Sequence, residues 1–351
     1  MNYSFLKYFL LLLTILISYS CSNFETPIEP IIPNEEQGNV FDQNKLLGKG
    51  INLGNALEAP NEGEWGVVLK EEFFSIIKNA GFNSVRIPIK WSAHAITNEP
   101  YTIQSSFFER VDWAIYQALK NNLAVVINIH HYDEIMQNPQ AHKARFLKIW
   151  EQIALRYKDY SHKLFFEILN EPHSNLTPSL WNVFMIEAIE KIRISNPTRT
   201  ILVGTANWGG VSSLSQLVFP PNESNIILSF HYYSPFQFTH QGAEWVSGSD
   251  AWLGLTWSGN QSEKNLIIND FNAVASWAAS KNIPVNLGEF GAYSKADMNS
   301  RVWWTSFIVE LCNQYKFSFH YWEFCAGFGI YDLATGKFRE SLYRALIPQN
   351  L

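Results

Sequence analysis

From Leu47 onward the chain alternates between short apolar, β-rich runs and longer stretches whose apolar residues recur at helical spacing. The runs predict strands at Gly50–Leu53, Ser84–Pro88, Ala124–Ile129, Leu164–Leu169, Thr200–Val203, Ile226–Phe230, Val285–Gly288 and Ser318–Trp322. Helices are predicted over Lys70–Ala80, Ser105–Asn121, His142–Tyr157, Pro178–Ile194, Glu263–Ser280 and Ala296–Tyr315. Several strands begin just after helix-ending signals such as Asn79-Ala80-Gly81 and Ser280-Lys281-Asn282. Eight β-then-α repeats predict an α/β chain folded as one (β/α)8 TIM barrel. A doubly wound sheet would use fewer strands, and no Gly-rich phosphate loop follows the first one. Ser234–Ser262, between strands six and seven, is a long loop rich in Trp, Gly and His, and loops of that length in a compact domain are usually functional.

The N-terminal end follows another pattern. Lys7 precedes an apolar run from Tyr8 to Ile17 that is too short to span a bilayer, which takes roughly 20 residues, so residues 1–20 are expected to be a secretory signal peptide. Ser18-Tyr19-Ser20-Cys21-Ser22 resembles a bacterial lipoprotein cleavage site, in which Cys21 would carry the lipid; a plain secretion signal is the alternative. Residues 22–43, with Pro27, Pro30 and Pro33, are expected to be an extended tether, leaving 44–351 as a single folded domain. The implied address is the bacterial cell envelope, outer membrane or cell surface, or else the medium. Cys312 and Cys325 are expected at opposite faces of the barrel, too far apart to pair.

With 47% hydrophobic and 17% charged residues, the 351-residue chain is neither disordered nor fibrous. Its net charge of −6 argues against a nucleic-acid partner. Aromatic residues reach 15%, with 13 Trp, which suits a large core or a cleft that stacks on flat ligand faces.

In such a barrel the active site lies at the C-terminal ends of the strands. Those ends carry Asn55 and Glu58, Arg86, His130 and His131, Asn170 and Glu171, His231 and Tyr233, Glu289, and Trp322 with Glu323. Two carboxylates on different strands, with no nucleophilic Ser or Cys beside them, suit glycoside hydrolysis. That reaction needs one acid for the leaving oxygen and one carboxylate at the anomeric carbon. Glu171 precedes Pro172, which favours an extended backbone, and burial among Phe and Trp would keep it protonated. Glu289 lies between Gly288 and Gly291, whose small size lets a ligand approach, and a nearby Arg86 would hold it ionised. A metal-dependent hydrolase built on His130, His131, His231 and the Glu pair is the rival. Adjacent His residues on one strand point to opposite faces, which weakens it.

Ile168-Leu169-Asn170-Glu171-Pro172 and Leu287-Gly288-Glu289-Phe290-Gly291 resemble the acid/base and nucleophile motifs of glycoside hydrolase family 5, the (β/α)8 retaining endo-β-glycanases. Gly50 to Gly63, Asn128-Ile-His130-His131-Tyr132, His231-Tyr-Tyr233, Thr239 to Trp245 and Tyr321 to Phe324 resemble a bacterial subfamily acting on both β-1,4-glucans and β-mannans. The resemblance implies that Glu171 is the acid/base and Glu289 the nucleophile, about 5–5.5 Å apart. It implies that Asn170 bonds the sugar 2-OH, that Arg86 and Tyr233 orient the nucleophile, and that His130 and His231 line the reacting subsite. Trp322 would be the platform there, with Asn55, Glu58, His131 and Trp245 contacting sugars farther along; Trp65, Trp208 and Trp257 are further stacking candidates. The expected partner is a β-1,4-linked polysaccharide or oligosaccharide, glucan and also glucomannan or mannan. No cofactor, metal or nucleic acid is expected, membrane contact is limited to the lipid, and the chain is expected to be a monomer. A dedicated β-mannanase or xyloglucanase, and a non-catalytic carbohydrate-capture lipoprotein, are the alternatives.

Overall fold

The computed structural model describes residues 37–348. The leader, Cys21 and most of the expected tether lie outside the described residues.

Eight strands form a closed barrel in sequence order: β1 (Lys49–Asn52), β2 (Ser84–Ile87), β3 (Ala124–Asn128), β4 (Leu164–Glu167), β5 (Ile201–Gly204), β6 (Ile226–Tyr232), β7 (Val285–Phe290) and β8 (Ser318–Tyr321). All pairs are parallel, and β8 closes on β1 with Gly50 opposite both Ser84 and His320. The strands read as unbroken apolar runs because both faces are covered, one by the barrel interior and the other by helices. β6 and β7 run two residues beyond the lengths expected, and a register shift at Phe230/His231 re-aims their last side chains into the cleft.

The outer layer comprises α2 (Glu71–Asn79), α3 (Trp91–His94), α4 (Ser105–Lys120), α5 (Asp133–Gln137), α6 (Pro139–Arg156), α7 (Pro178–Arg193), α8 (Phe236–Thr239), α9 (Gln261–Lys281), α10 (Met298–Tyr315) and α11 (Glu340–Leu346). Several buried Trp residues fasten this layer to the sheet. The indole N–H of Trp91 donates to the Asn128 carbonyl, that of Trp150 to Ile168, and that of Trp181 to Gly204, at 2.9–3.0 Å. Each satisfies a buried polar group while adding apolar area. β5 and β6 are joined through a short 3-10 turn, Val211–Gln216, in place of a long helix.

One short helix falls inside the segment expected to be tether. α1 (Val40–Leu47) begins after Asn39, whose side-chain oxygen accepts from the backbone N–H groups of Phe41 and Asp42. Val40 and Leu47 pack on Val126, Phe165, Leu202 and Ile227, near the N-terminal ends of the strands. Asn44 donates to the Val285 carbonyl and accepts from Ser318 Oγ. The tether reading therefore runs too far at residues 40–43: this helix is the barrel floor. Above it, His320 and Ser84 form a buried pair at 3.0 Å, and a Cβ on Gly50 would come within 2.3 Å of the imidazole, so the position has room only for glycine.

Cys312 lies in the last turns of α10 and Cys325 beyond β8, and both are free thiols. No described helix is long and apolar enough to cross a membrane.

Candidate active site

The cleft is organised around one guanidinium. Arg86 points inward from β2 and has no exposed surface, so all five of its N–H donors need partners. Nε and Nη2 donate to the two oxygens of Glu167 at 2.6 and 3.0 Å. Nη1 donates to Asn52 Oδ1 at 2.9 Å and to Glu289 Oε1 at 2.7 Å, and Nη2 also donates to Asn170 Oδ1 at 2.8 Å. Burial opposes the charge, but Glu167 and Glu289 more than offset it and drive the Arg86 pKa up.

This one cation fixes two functional side chains, and a third is fixed through one of them. Glu289, at the end of β7, is held on Oε1 by Arg86 and on Oε2 by the Tyr233 hydroxyl, which donates at 2.9 Å. Burial raises the Tyr233 pKa, and the Glu289 charge raises it further, so the hydroxyl stays a donor. Asn170 gives its oxygen to Arg86, which leaves its NH2 as the donor for a ligand.

Glu171 stands across from Glu289. Its Oε1 lies 2.7 Å from His231 Nδ1, which is 3.6 Å from Glu289 Oε2. Donor atoms of Glu171, His231 and Glu289 all lie within 4.8 Å of one another. That places the two carboxylates at the short separation expected from the sequence. Burial alone would lower the His231 pKa, but Glu289 and the hydrogen-bonded Glu171 raise it. The His231–Glu171 contact lies beside the cleft. The same three residues form a donor set a divalent metal could use. Here Arg86 already pairs with Glu289, and His231 with Glu171.

Three expectations about local backbone and packing are corrected. Glu171 is not extended: its φ is +45°, in the left-handed region, despite the following proline. β4 has ended at Glu167, and the chain turns sharply so that the carboxylate faces the cleft. Asn55, His131 and Trp208 share positive φ at the same rim, a clustering of strained residues common at active sites. Nor is Glu171 buried among Phe and Trp; its side chain is 20% exposed against 6% for Glu289, and His231 is its polar partner. The glycines beside Glu289 serve packing rather than ligand approach: a Cβ on Gly288 would meet Ser229 and His231 within 3.0 Å, and one on Gly291 the Trp322 carbonyl at 2.2 Å.

The remaining sequence candidates divide. His130 stacks nearly parallel to Trp322, with ring centres 6.0 Å apart, and is hydrogen-bonded to Asn128. Burial and the neighbouring His131 hold His130 well below its ordinary pKa, so it is neutral. His131 meets the half-exposed Trp65 edge-on at 5.3 Å. Trp245 is 61% exposed on the β6–β7 loop and packs on Tyr293 and Phe328. Trp208 is similarly open and stacks on His173 at 3.5 Å, beside the Glu171-Pro172 turn. Two candidates turn away from the cleft. Trp257 is buried against Phe307 and belongs to the core. Glu58 is fully buried, and its oxygens accept the backbone N–H groups of Asn55 and Ala56, so it organises the loop presenting Asn55 rather than contacting sugar. Burial pushes its pKa to about 8.

Glu167 was missed because, within Leu-Phe-Phe-Glu-Ile-Leu, it reads as one polar break in an apolar strand. A lone acid on an inward-facing strand position was the available signal, since burying it demands a cation. Glu323 was noted at its strand end but given no role. It accepts from the backbone N–H groups of Cys325, Ala326 and Phe328 and so shapes the loop behind Trp322.

Comparison with known proteins agrees with this geometry. The model of the Cellulase (glycosyl hydrolase family 5) family matches residues 47–327. Endoglucanase H of Acetivibrio thermocellus is 38% identical over 283 residues, 81% of this chain and 30% of that protein. Endoglucanase B of Clostridium cellulovorans is 32% identical over 279 residues, 74% of this chain and 62% of that protein. The chain thus spans less than two thirds of the length of these curated relatives. Among solved structures, Thermotoga maritima Cel5A in complex with mannotriose superposes with a TM-score of 0.87 at 55% identity, covering 88% of this chain and all of that one. The same protein in complex with cellobiose superposes equally well. On the matched residues, the closed barrel and the paired carboxylates at its mouth, this chain belongs to glycosyl hydrolase family 5.

Proposed function

We propose that the protein is a retaining endo-β-1,4-glucanase that cleaves internal bonds of soluble β-glucans. The observation that carries this reading is the Glu171–Glu289 pair, with carboxylate oxygens no more than 4.8 Å apart, one held by Arg86 and Tyr233 and the other by His231. Retaining enzymes hold their carboxyl groups about 5–5.5 Å apart, whereas inverting ones leave roughly 6.5–9.5 Å for a water. Glu289, ionised beside Arg86 and Tyr233, attacks the anomeric carbon. Glu171, which contacts His231 at 2.7 Å, protonates the departing oxygen. A glycosyl ester forms on Glu289, and Glu171 then takes the proton of the water that releases the sugar. The Asn170 NH2 bonds the 2-OH, Trp322 lies under the reacting sugar with His130 beside it, and His131, Asn55 and Trp245 contact the neighbouring ones.

Glucomannan and mannan are proposed as further substrates, supported by the mannotriose and cellobiose complexes of Thermotoga maritima Cel5A. The proposed address is the cell envelope, through a lipid on Cys21, and the proposed state is a monomer. Proton NMR of the first-formed product tests the mechanism. The β-anomer should appear first on carboxymethyl-cellulose and glucomannan, with Glu289→Ala inactive but still binding cello-oligosaccharide. Initial release of the α-anomer, or an active Glu289→Ala variant, overturns it. A chelator should leave the rate unchanged; loss of activity restored by a divalent metal would favour the metal-dependent reading.

A further inference from the structure

The catalytic pair does not account for Glu167. It is buried at the barrel's centre, with 1% exposure, and both of its oxygens are engaged by Arg86. Glu167 therefore sits on one side of the guanidinium and Glu289 on the other, at 2.6 and 2.7 Å. In the resting enzyme the three groups carry one positive and two negative charges. For the task of keeping Glu289 ionised, a second anion is counterproductive: it adds a negative charge and draws on the same cation. Its placement makes sense in the other state of the cycle.

When the anomeric carbon bonds to Glu289, the bond to the leaving oxygen breaks and that oxygen takes the proton of Glu171. Glu289 becomes a neutral ester. The Arg86 cation remains, without exposed surface, and a buried guanidinium without an anion is strongly unfavourable. Glu167 meets it with a two-point ion pair, the strongest geometry available to this cation.

We propose that Glu167 is the counter-ion that keeps Arg86 neutralised while Glu289 is esterified, and is thus a positioning residue for the covalent half of the reaction. The inference rests on Glu289 being the nucleophile. It assigns the two anions different times of action: Glu289 balances Arg86 before attack and after hydrolysis, and Glu167 balances it in between. The barrel makes this possible by pointing Arg86 inward from β2, so that one cation reaches Glu167 of β4 and Glu289 of β7 across the interior.

The test separates the two chemical steps in the full chain with a dinitrophenyl 2-deoxy-2-fluoro-β-cellobioside. This probe traps the glycosyl ester, so inactivation reports ester formation and reactivation reports its hydrolysis. Glu167→Gln should slow inactivation by roughly 30-fold, the share of a broken buried ion pair that a half-formed ester bears. It should also accelerate reactivation, because the ester state is the one destabilised. Glu167→Asp, which keeps the charge, should restore both rates toward those of the wild type. Equal losses in both steps, or no change in either, would overturn the proposal. A second variant covers the case in which Glu167→Gln does not fold. Glu289→Gln imitates the neutral ester and, with Glu167 present, should melt no lower than the wild type. A markedly lower melting temperature would mean that Glu167 does not suffice to neutralise Arg86. Mass spectrometry keeps this inference separable from its parent: if the wild type carries no label on Glu289, the nucleophile assignment fails. If the label is there but the two rates do not move oppositely, only the counter-ion role fails.

Discussion

Removing the Tyr233 hydroxyl should affect the second half of the reaction more than the first. In Tyr233→Phe the ring stays packed against His240 and Phe328, and the loss is confined to one donated hydrogen bond, 2.9 Å long, to Glu289 Oε2. Glu289 Oε1 keeps Arg86, and His231 Nδ1 lies 3.6 Å from Oε2, beyond hydrogen-bonding range. A hydrogen bond to a charged group contributes about 1.5–3 kcal/mol. At 1.36 kcal/mol per decade this is roughly 10- to 150-fold, an upper bound because the transition state carries only part of the charge. The bond is strong when Glu289 is a carboxylate and weak when it is an ester. Its loss therefore raises the barrier for expelling the carboxylate, whereas ester formation, which starts from the destabilised carboxylate, is not slowed. Stopped-flow measurement with a dinitrophenyl β-cellobioside should show a burst followed by a slower steady state, with the covalent intermediate accumulating. If the burst rate falls as much as the steady-state rate, or if no intermediate accumulates, the hydroxyl has another role.

Trp322→Ala removes the platform stacked on His130 and should cost about 2 kcal/mol of apolar contact with the sugar. The kcat/KM for cello-oligosaccharides should fall about 30-fold; a variant within a factor of three of the wild type would place the reacting sugar elsewhere. Leu47→Ala opens a cavity in the barrel floor and should cost about 2–5 kcal/mol in urea unfolding, with kcat unchanged in the folded protein. Glu58 ionises near 4.5 when exposed but keeps its proton to about 8 when folded, so the folded state binds the extra proton between those values. Its stabilising effect is fully present below about 4.5 and is lost as pH rises to about 8. The melting temperature of Glu58→Gln should therefore gain on that of the wild type across this window, and a constant difference would contradict the assignment.

The barrel and the two carboxylates at its mouth were legible because both depend on periodicity. An apolar run fixes where a strand ends, and the barrel topology then places that end at the cleft. What was not legible depends on direction. Glu58 and Asn55 are three residues apart in one loop, yet one carboxylate turns inward to bind backbone while the neighbouring turn faces the cleft; residue type alone does not distinguish these. Trp257 and Trp245 belong to the same connection, and only packing assigns one to the core and the other to the surface. Glu167 was hidden by its burial, since its partner lies 81 positions away along the chain. α1 was hidden by its brevity, because eight residues with Asp, Gln and Asn among them carry little apolar signal. The left-handed turn at Glu171 runs against the preference that proline imposes, and tertiary structure overrides it.

The floor helix also fixes an orientation. Residue 37 enters beneath the barrel, where the Gln37 side chain donates to the Thr198 carbonyl, and the cleft opens at the opposite end. The described chain therefore begins on the side of the barrel away from the mouth. A fusion partner or immobilising tag placed ahead of residue 37 should leave the substrate path clear.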